Sequence, residues 1–213
     1  MKIINASYEI LTKISGNGKE ELQHIEKIER VCYKSEDRIT EDGESAKQFV
    51  KMLIDRRHEA MIEHSSLSVK FIVDRGVSHE LVRHRIASFA QESTRYCNYS
   101  TDKFDNEVTF IRPFFFAEGT VNYSDWLFAM GVAEGTYLEM LAEGAAPQEA
   151  RSVLPNSTKT EITITANYRE WRNFFKLRTA KAAHPQMREV TIPLLAELKQ
   201  KLPIIFDDIE AEV

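Results

Sequence analysis

A short segment near the middle of the chain concentrates side chains that bind anions. Residues 83–96 hold three arginines, one histidine, two serines and a glutamine within fourteen positions. Guanidinium groups match phosphate oxygens two at a time, and buried cations without a partner are costly. This segment therefore indicates a phosphate or pyrophosphate site, with Ser93, Thr94 and backbone amides completing it. A solvated basic helix end is the alternative that composition alone leaves open.

A second candidate is Arg178, near the end of an expected helix. At about 100° per residue, Trp171, Phe174 and Phe175 form an apolar stripe with Arg178 in its middle. A guanidinium surrounded by aromatic rings needs a buried carboxylate or a bound anion. The alternative is an arginine that extends outward at a helix C-terminus and complements the helix dipole.

The stretch from His58 to His64 contains two histidines and two glutamates, which raises the possibility of a metal site. The two histidines are six positions apart and fall on different faces of a helix, so the spacing is poor for a metal. We predict that no metal is bound here.

The elements that must position these residues follow from hydrophobic periodicity. Strict alternation predicts strands at 66–73 and 161–167, each with one buried face. Further strands are expected at 3–14 and 108–113. Helical spacing predicts helices at 19–33, 46–55, 77–85, 125–141, 148–154, from 168 through Arg178, and from Pro185 onward. We expect Gly76 to end the strand and Ser78 to cap a helix that carries the basic segment.

Composition is that of an ordinary globular protein. The 213 residues are 43% hydrophobic and 29% charged, which suits one domain spanning 1–213. The net charge of −5 argues against a nucleic-acid partner. We see no apolar run long enough for a membrane span and no signal-peptide core at the N-terminus, so we expect a cytoplasmic protein.

The cysteine content gives no disulfide framework. Only Cys32 and Cys97 are present, which suits a reducing cytoplasm. We expect Cys32 to pack on the apolar face of a helix, and we expect neither thiol to act as a nucleophile. The run at 114–116, three consecutive phenylalanines, is expected in the core or at a subunit interface.

Three motifs together resemble one enzyme family. Arg-His-Arg at 83–85, Ser93 after seven further residues and Thr-Arg-Tyr at 94–96 resemble the signature of the flavin-dependent thymidylate synthases. Arg-x-x-Leu-Pro at 151–155 resembles a nucleotide-contacting element of that family, and the stretch at 58–64 resembles the part that lines the flavin.

The resemblance implies an activity and a fold. It implies reductive methylation of dUMP to dTMP, with 5,10-methylenetetrahydrofolate as one-carbon donor, NADPH-reduced FAD as hydride source and no cysteine nucleophile. It implies an α+β subunit with helices on a mostly antiparallel sheet, assembled as a homotetramer with shared active sites. A regulatory nucleotide sensor and a metal-dependent hydrolase are the alternatives.

The resemblance also implies which residues form the site. Those that resemble dUMP contacts are Glu80, Arg83, Gln91, Glu92, Ser93, Thr94, Arg95, Arg151 and Arg178. Those that resemble FAD contacts are His58, Ala60, Arg83, His84, Arg85, Gln91, Asn167, Arg169 and Asn173. Arg178 resembles the arginine that stabilises the ionised N3 of the uracil, which is the catalytic role.

The chain departs from the family pattern at a few of these positions. Ala60 stands where a threonine is common, Glu80 where many members have glutamine, and Ala90-Gln91 where several have Asn-Glu. A neutral amide still forms hydrogen bonds, so Gln91 is kept as a contact.

Overall fold

The computed structural model describes residues 1–212, so Val213 lies outside the described residues. The chain divides into two compact units that interleave along the sequence. Unit 1 comprises Met1–Ser7, Phe71–Arg83 and Phe89–Thr163, and unit 2 comprises Tyr8–Lys70, His84–Ser88 and Ile164–Val213.

Helices and strands are interspersed along the chain. The strands are β1 (Lys2–Ile4), β2 (Ser7–Ile10), β3 (Ser66–Asp74), β4 (Ala87–Gln91), β5 (Thr109–Ile111) and β6 (Lys159–Asn167). The α-helices are α1 (Lys19–Glu29), α2 (Glu44–Asp55), α3 (Arg75–Leu81), α4 (Val121–Ala142), α5 (Pro147–Ala150), α6 (Tyr168–Arg178) and α7 (Pro185–Lys201). Short 3₁₀ helices span Gly16–Gly18, Arg30–Tyr33, Glu36–Arg38, Glu59–His64, Asp102–Phe104 and Arg151–Val153.

The main sheet has four strands in the order β2-β3-β6-β4. Tyr168 N–H donates to the Ser65 carbonyl at 3.0 Å, and Arg75 N–H donates to the Thr158 carbonyl at 3.1 Å. The residue number increases along β3 while the number of its partner on β6 decreases, so β3 and β6 are antiparallel. A separate two-stranded sheet pairs β1 with β5 in parallel. The expectation of helices with a mostly antiparallel sheet is therefore confirmed.

Alternation correctly located the two long strands. In β3 every second residue is fully buried, namely Leu67, Val69, Phe71 and Val73. In β6 the buried set is Thr160, Ile162, Ile164 and Ala166. The expected single strand at 3–14 is wrong, because the segment forms two short strands, β1 and β2, with residues 5 and 6 between them.

The basic segment does not lie on a helix, which corrects our expectation. Helix α3 begins at Arg75 and ends at Leu81, and its cap is Asp74, whose carboxylate accepts from Val77 N–H at 2.7 Å. Ser78 lies inside the helix, and Gly76 lies within its first turn instead of breaking the chain. Because the helix starts early, Arg83, His84 and Arg85 fall in a turn before β4. A turn followed by an extended strand presents successive side chains in different directions.

Cys32 is exposed, which also differs from the sequence expectation. The α-helical geometry of α1 ends at Glu29, and a 3₁₀ helix follows over Arg30–Tyr33. Three residues per turn instead of 3.6 rotate later positions away from the buried stripe.

Helix α4 carries more exposed apolar surface than its sequence suggested. Only Met130 and Tyr137 of this helix are buried, whereas Phe128 is 75% exposed and Val132 54% exposed. Phe114 and Phe115 are also about half exposed, so the phenylalanine run is not a core element of the subunit. No helix within residues 1–212 is both long and apolar enough to cross a membrane.

Unit 2 contains a buried arginine that joins three of its segments. Arg172 of α6 is 1% exposed and binds Asp208 through two parallel hydrogen bonds of 2.6 and 2.8 Å. Its guanidinium also donates to Glu59 at 3.0 Å and to the carbonyl of Ile205. A buried guanidinium is tolerated only when its donors are satisfied in this way, so this network anchors the C-terminal segment to α6.

Removing the charge of Asp208 should destabilise the fold in a pH-dependent manner. The Arg172 guanidinium holds the pKa of Asp208 below its usual range. The interaction therefore contributes stability above the ordinary aspartate pKa and is lost as pH falls through the lower folded-state value. We expect Asp208→Asn to lower Tm at pH 7 by roughly 2–4 °C, corresponding to about 1 kcal/mol for a half-exposed partner.

The control is Asp55→Asn, which removes an exposed carboxylate that pairs with Lys51 on the surface. Thermal melts from pH 7 down to pH 3 should show the difference between Asp208→Asn and wild type shrinking with acidity. Equal melts of the two proteins at pH 7 would contradict this account of the network.

Candidate active site

The start of α6 fixes the candidate site in unit 2. Asn167 ends β6, and its side chain accepts from Glu170 N–H at 2.8 Å as the N-cap of α6. On one face of the helix, Trp171, Phe174 and Phe175 are buried as their spacing predicted. Residues on the opposite face are thereby turned outward.

That outward face borders a cavity of about 420 Å³ in unit 2. This volume lies within the range of roughly 300–1,000 Å³ that small-molecule sites occupy. The cavity lining consists of Glu59, Glu63, Arg85, Ile86, Asn167, Arg169, Glu170, Asn173 and Lys176. Arg169 forms an ion pair of 2.5 Å with Glu63 across part of it. The lining combines three cationic side chains and two amides, which donate hydrogen bonds, with three carboxylates, which accept them.

His84 lies buried behind this wall and joins two residues of α6. It is 6% exposed, and its ring meets the edge of Phe174 with centroids 4.8 Å apart. Its Nδ1 lies 3.1 Å from Glu170 Oε1, and its Nε2 accepts from Arg178 Nε at 2.8 Å. The aromatic stripe thus holds Arg178 next to a histidine whose other ring nitrogen faces Glu170.

The surroundings of His84 favour its neutral form. Burial lowers the pKa of His84 from its ordinary value, the hydrogen bond to Glu170 raises it, and the charge of Arg178 lowers it again. The net direction is downward. The imidazole is therefore neutral at pH 7.

In unit 1, the loop after β4 is held by a carboxylate with three donors. Glu92 accepts from the Tyr99 hydroxyl at 3.0 Å, from Lys159 Nζ at 3.0 Å and from Glu161 N–H at 3.2 Å. Burial and then the charge of Glu92 raise the pKa of Tyr99, which keeps its hydroxyl protonated as a donor. The neighbouring Gln91 donates to Ser78 at 3.0 Å and to Thr160 at 3.3 Å.

The next residues of this loop carry groups suited to an anion. Arg151 donates to the hydroxyl of Thr94 at 3.2 Å, and Ser93 Oγ accepts from Arg95 N–H at 3.3 Å. Arg151 and Arg95 are exposed while Thr94 is buried. Two guanidinium groups and a serine hydroxyl on one loop and its neighbour can bind a phosphate.

The structure brings together part of the expected flavin set. Arg85, Asn167, Arg169 and Asn173 line one cavity. His84 is buried behind it. His58 and Ala60 are exposed residues at the start of the Glu59–His64 helix and do not line the cavity.

The expected nucleotide set lies mostly in unit 1. Gln91, Glu92 and Thr94 have their side chains engaged within that unit. Glu80 is half-buried, and Arg83 is exposed with its N–H bonded to the Glu80 carbonyl at 3.2 Å. Arg178 belongs to unit 2.

Three residues of these clusters, Lys159, Tyr99 and Glu170, were not among the expected site residues. Lys159 bridges Glu92 and Glu161, and its position two residues before Glu161 on an alternating strand was a usable signal. Tyr99 had no signal in the sequence. Glu170 was recognisable as the third residue after the Asn167 cap, where acidic residues are favoured.

The cysteines differ from each other in environment. Cys97 is half-buried, and burial followed by the charge of Glu92 raises the pKa of its thiol. A raised pKa reduces the thiolate fraction and therefore the nucleophilicity. Among residues 1–212 there is no group of three or more histidine, cysteine or acidic side chains arranged to hold a metal.

The fold has a close counterpart among solved structures. The chain matches the crystal structure of a UMP/dUMP methylase, PolB, from Streptomyces cacaoi, bound with 5-Br dUMP. The TM-score is 0.77 at 22% identity, over 97% of this chain and 96% of that one. This likeness establishes the shared fold.

Sequence comparison then gives the family. Residues 14–204 match the family described as thymidylate synthase complementing protein. The flavin-dependent thymidylate synthase of Corynebacterium efficiens is 32% identical over 198 residues, covering 88% of this chain and 79% of that protein. The corresponding protein of Geobacter sulfurreducens is 31% identical over 189 residues, covering 84% and 78%. The chain belongs to the flavin-dependent thymidylate synthase family.

Proposed function

We propose that this chain catalyses the reductive methylation of dUMP to dTMP, with 5,10-methylenetetrahydrofolate as carbon donor and FAD as hydride carrier. The observation that carries the proposal is the family match over 14–204, which includes all the expected site residues from His58 to Arg178. PolB, which shares the fold, is a methylase of the same class of nucleotide. We further propose that the chain acts as one domain over 1–213.

The cavity beside α6 suits part of a flavin. Arg85, Asn167, Arg169 and Asn173 supply guanidinium and amide donors to it, and an isoalloxazine ring and a diphosphate both present mainly acceptors. We assign these four residues to FAD, together with His58, Ala60, Arg83 and Gln91 by resemblance. Held by these residues, FAD would supply hydride transfer from NADPH to the one-carbon unit.

The loop of unit 1 suits the nucleotide. Ser93, Arg95 and Arg151 offer two cations and a hydroxyl to a phosphate monoester, and Thr94 orients Arg151. Glu92 accepts from Tyr99, Lys159 and Glu161 and so stabilises the loop that carries Ser93 and Arg95. We assign Gln91, Glu80 and Arg83 to the same substrate by resemblance.

Arg178 supplies the activation of the pyrimidine in this proposal. Methylation at C5 needs electron density on that carbon, which either a covalent thiolate adduct or stabilisation of an anionic ring can provide. Arg178 is a permanent cation in a half-buried position, whereas the Cys97 thiol has a raised pKa. A planar guanidinium at N3 and O2 stabilises the developing charge without a covalent bond.

The remaining components follow from the same assignment. NADPH is the proposed reductant, the cytoplasm the proposed location, and a homotetramer with shared active sites the proposed assembly. The exposed apolar residues of α4, including Val121 and Phe128 at 75% each, support burial against another subunit.

The direct experiment is to purify the protein and examine its colour and turnover. It should absorb as a flavoprotein, oxidise NADPH, and convert dUMP to dTMP when methylenetetrahydrofolate is added. A protein that stays colourless with added FAD but binds dUMP would favour the nucleotide sensor, and stoichiometric zinc would favour the hydrolase.

Arg178→Ala should separate methylation from flavin chemistry. We expect dTMP formation to fall by roughly 10²–10³-fold, the usual effect of removing a charge-stabilising group, while FAD binding and NADPH oxidation persist. Arg178→Lys should recover little, because an ammonium cannot address two ring atoms as a planar fork does. A variant that melts much lower yet binds dUMP by calorimetry as tightly as wild type would make Arg178 a structural residue instead.

Replacing both cysteines should leave turnover nearly unchanged. The exposed Cys32 and the half-buried Cys97 have no role in the proposed chemistry. We expect the Cys32→Ala, Cys97→Ala double variant to form dTMP at close to the wild-type rate, measured beside the single variants. A folded double variant without turnover would indicate covalent catalysis.

A charge on the outer face of α4 should weaken assembly. Phe128→Asp places a carboxylate where the proposed interface is apolar, so we expect a smaller species in sedimentation velocity. Asp125→Asn in the same helix serves as the control and should keep the wild-type sedimentation coefficient. An unchanged assembly in Phe128→Asp would exclude this face from the interface.

A further inference from the structure

We propose that His84 is a positioning residue that holds Arg178 for catalysis through its neutral, Nδ1-protonated tautomer, with Glu170 fixing that tautomer. This inference rests on the proposed function, because it concerns how the catalytic arginine is oriented. It differs from the flavin-contact role that resemblance gave to His84.

The tautomer follows from the partners of the ring. A guanidinium Nε–H can only donate, so His84 Nε2 must accept at 2.8 Å from Arg178. In a neutral imidazole the other nitrogen then carries the proton, and Nδ1–H donates to Glu170 Oε1 at 3.1 Å. Both ring nitrogens are satisfied in only this arrangement, which matters because the ring is 6% exposed.

Protonation of His84 would break this arrangement. An imidazolium would direct Nε2–H at Arg178 Nε–H, so that two donors and two positive charges would face each other. The groups that act on the ring from α6 are Glu170 and Arg178. On its own segment, Arg85 has an exposed side chain. Burial lowers the pKa of His84, which keeps the accepting form present at neutral pH.

The bond also fixes the plane of the Arg178 guanidinium. His84 Nε2 accepts from Arg178 Nε at 2.8 Å. Phe174 packs against the ring at 4.8 Å and restricts its rotation. A guanidinium bonded at Nε keeps a fixed plane and orientation, which is what a near-attack geometry requires.

Glu170 influences Arg178 through the ring of His84. Its carboxylate is 12% exposed at the wall of the cavity, and its Oε1 lies 3.1 Å from Nδ1 of the ring. Replacing it with glutamine keeps a possible acceptor but removes the charge that favours imidazolium. The pKa of His84 should then fall further, since Glu170 is the group that raises it.

The activity test compares three variants with wild type. We expect His84→Ala to lower kcat for dTMP formation by about 10²-fold, the effect of misplacing a catalytic group, with a smaller change in KM. His84→Gln should recover part of this loss, because its amide oxygen can accept from Arg178 Nε. The thermal melt of His84→Gln should stay close to wild type.

The pH dependence separates positioning from packing. Wild-type kcat should fall on the acid side as His84 becomes protonated, and Glu170→Gln should move the midpoint of that fall to lower pH. The exposed His24 on α1 supplies the control, and His24→Gln should leave the midpoint in place. Equal midpoints in wild type, Glu170→Gln and His84→Gln would overturn the proposal, as would full kcat in His84→Ala.

A spectroscopic measurement tests the bond without any turnover. In protein labelled with ¹⁵N-histidine, the resonance lost in His84→Gln should have the shifts of a neutral Nδ1–H tautomer at pH 7. An Nε2–H tautomer or an imidazolium there would refute the inference even in an inactive preparation. If wild type forms no dTMP, the proposed function fails, and this spectrum alone still decides whether Nε2 of His84 is in the accepting form that the bond to Arg178 requires.

Discussion

The fixed rotation of helix α6 about its own axis is the constraint on which the site of unit 2 depends. Tyr168 N–H bonds to the Ser65 carbonyl at 3.0 Å, and Trp171 Nε1 donates to the Leu67 carbonyl at 2.9 Å. These two bonds join the first turn of the helix to β3 and to the residue before it, and the aromatic stripe then fills the core. With the helix unable to rotate, Arg169 and Asn173 are directed into the cavity and Arg178 toward His84.

In unit 1, hydrogen bonds to a carboxylate hold the loop after β4 in place. Glu92 is a half-buried carboxylate surrounded by a phenol, an ammonium and a backbone amide. Because charge-assisted hydrogen bonds are strong and directional, the loop can carry the exposed Arg95 without losing its shape, and its Thr94 accepts from Arg151 of the neighbouring 3₁₀ helix. In each unit a polar side chain with its hydrogen bonds satisfied, His84 in unit 2 and Glu92 in unit 1, helps to hold an arginine in place. Such supporting contacts preorganise a binding site.

The sequence predicted the long elements and the composition of the site better than its local geometry. The alternation in β3 and β6 and the apolar stripe of α6 are periodic patterns. The structure buries the apolar residues of each pattern, as the periodicity predicted. The start of α3 was misplaced because Asp74 and Ser78 are both acceptable caps, and only the end of β3 selects Asp74. Cys32 is exposed because the helix changes from α to 3₁₀ geometry after Glu29, and no residue pattern predicted that change.

Pairings between distant segments could not be predicted from the sequence. His84 and Arg178 are 94 positions apart, and Glu92 and Lys159 are 67 apart. A motif identified each segment, but only the packed fold gives the donor, the acceptor and therefore the tautomer of His84. The role of a residue such as Glu170 depends on its partner and not on its own type.

A single-turnover experiment tests the central claim most directly. The protein would be prepared with FAD reduced in advance, without NADPH or oxygen, and mixed with dUMP and methylenetetrahydrofolate. The account predicts that flavin absorbance returns while dTMP forms in an equal amount, with tetrahydrofolate as the other product. Formation of dTMP while the flavin remains reduced, or reoxidation of the flavin without dTMP, would contradict it.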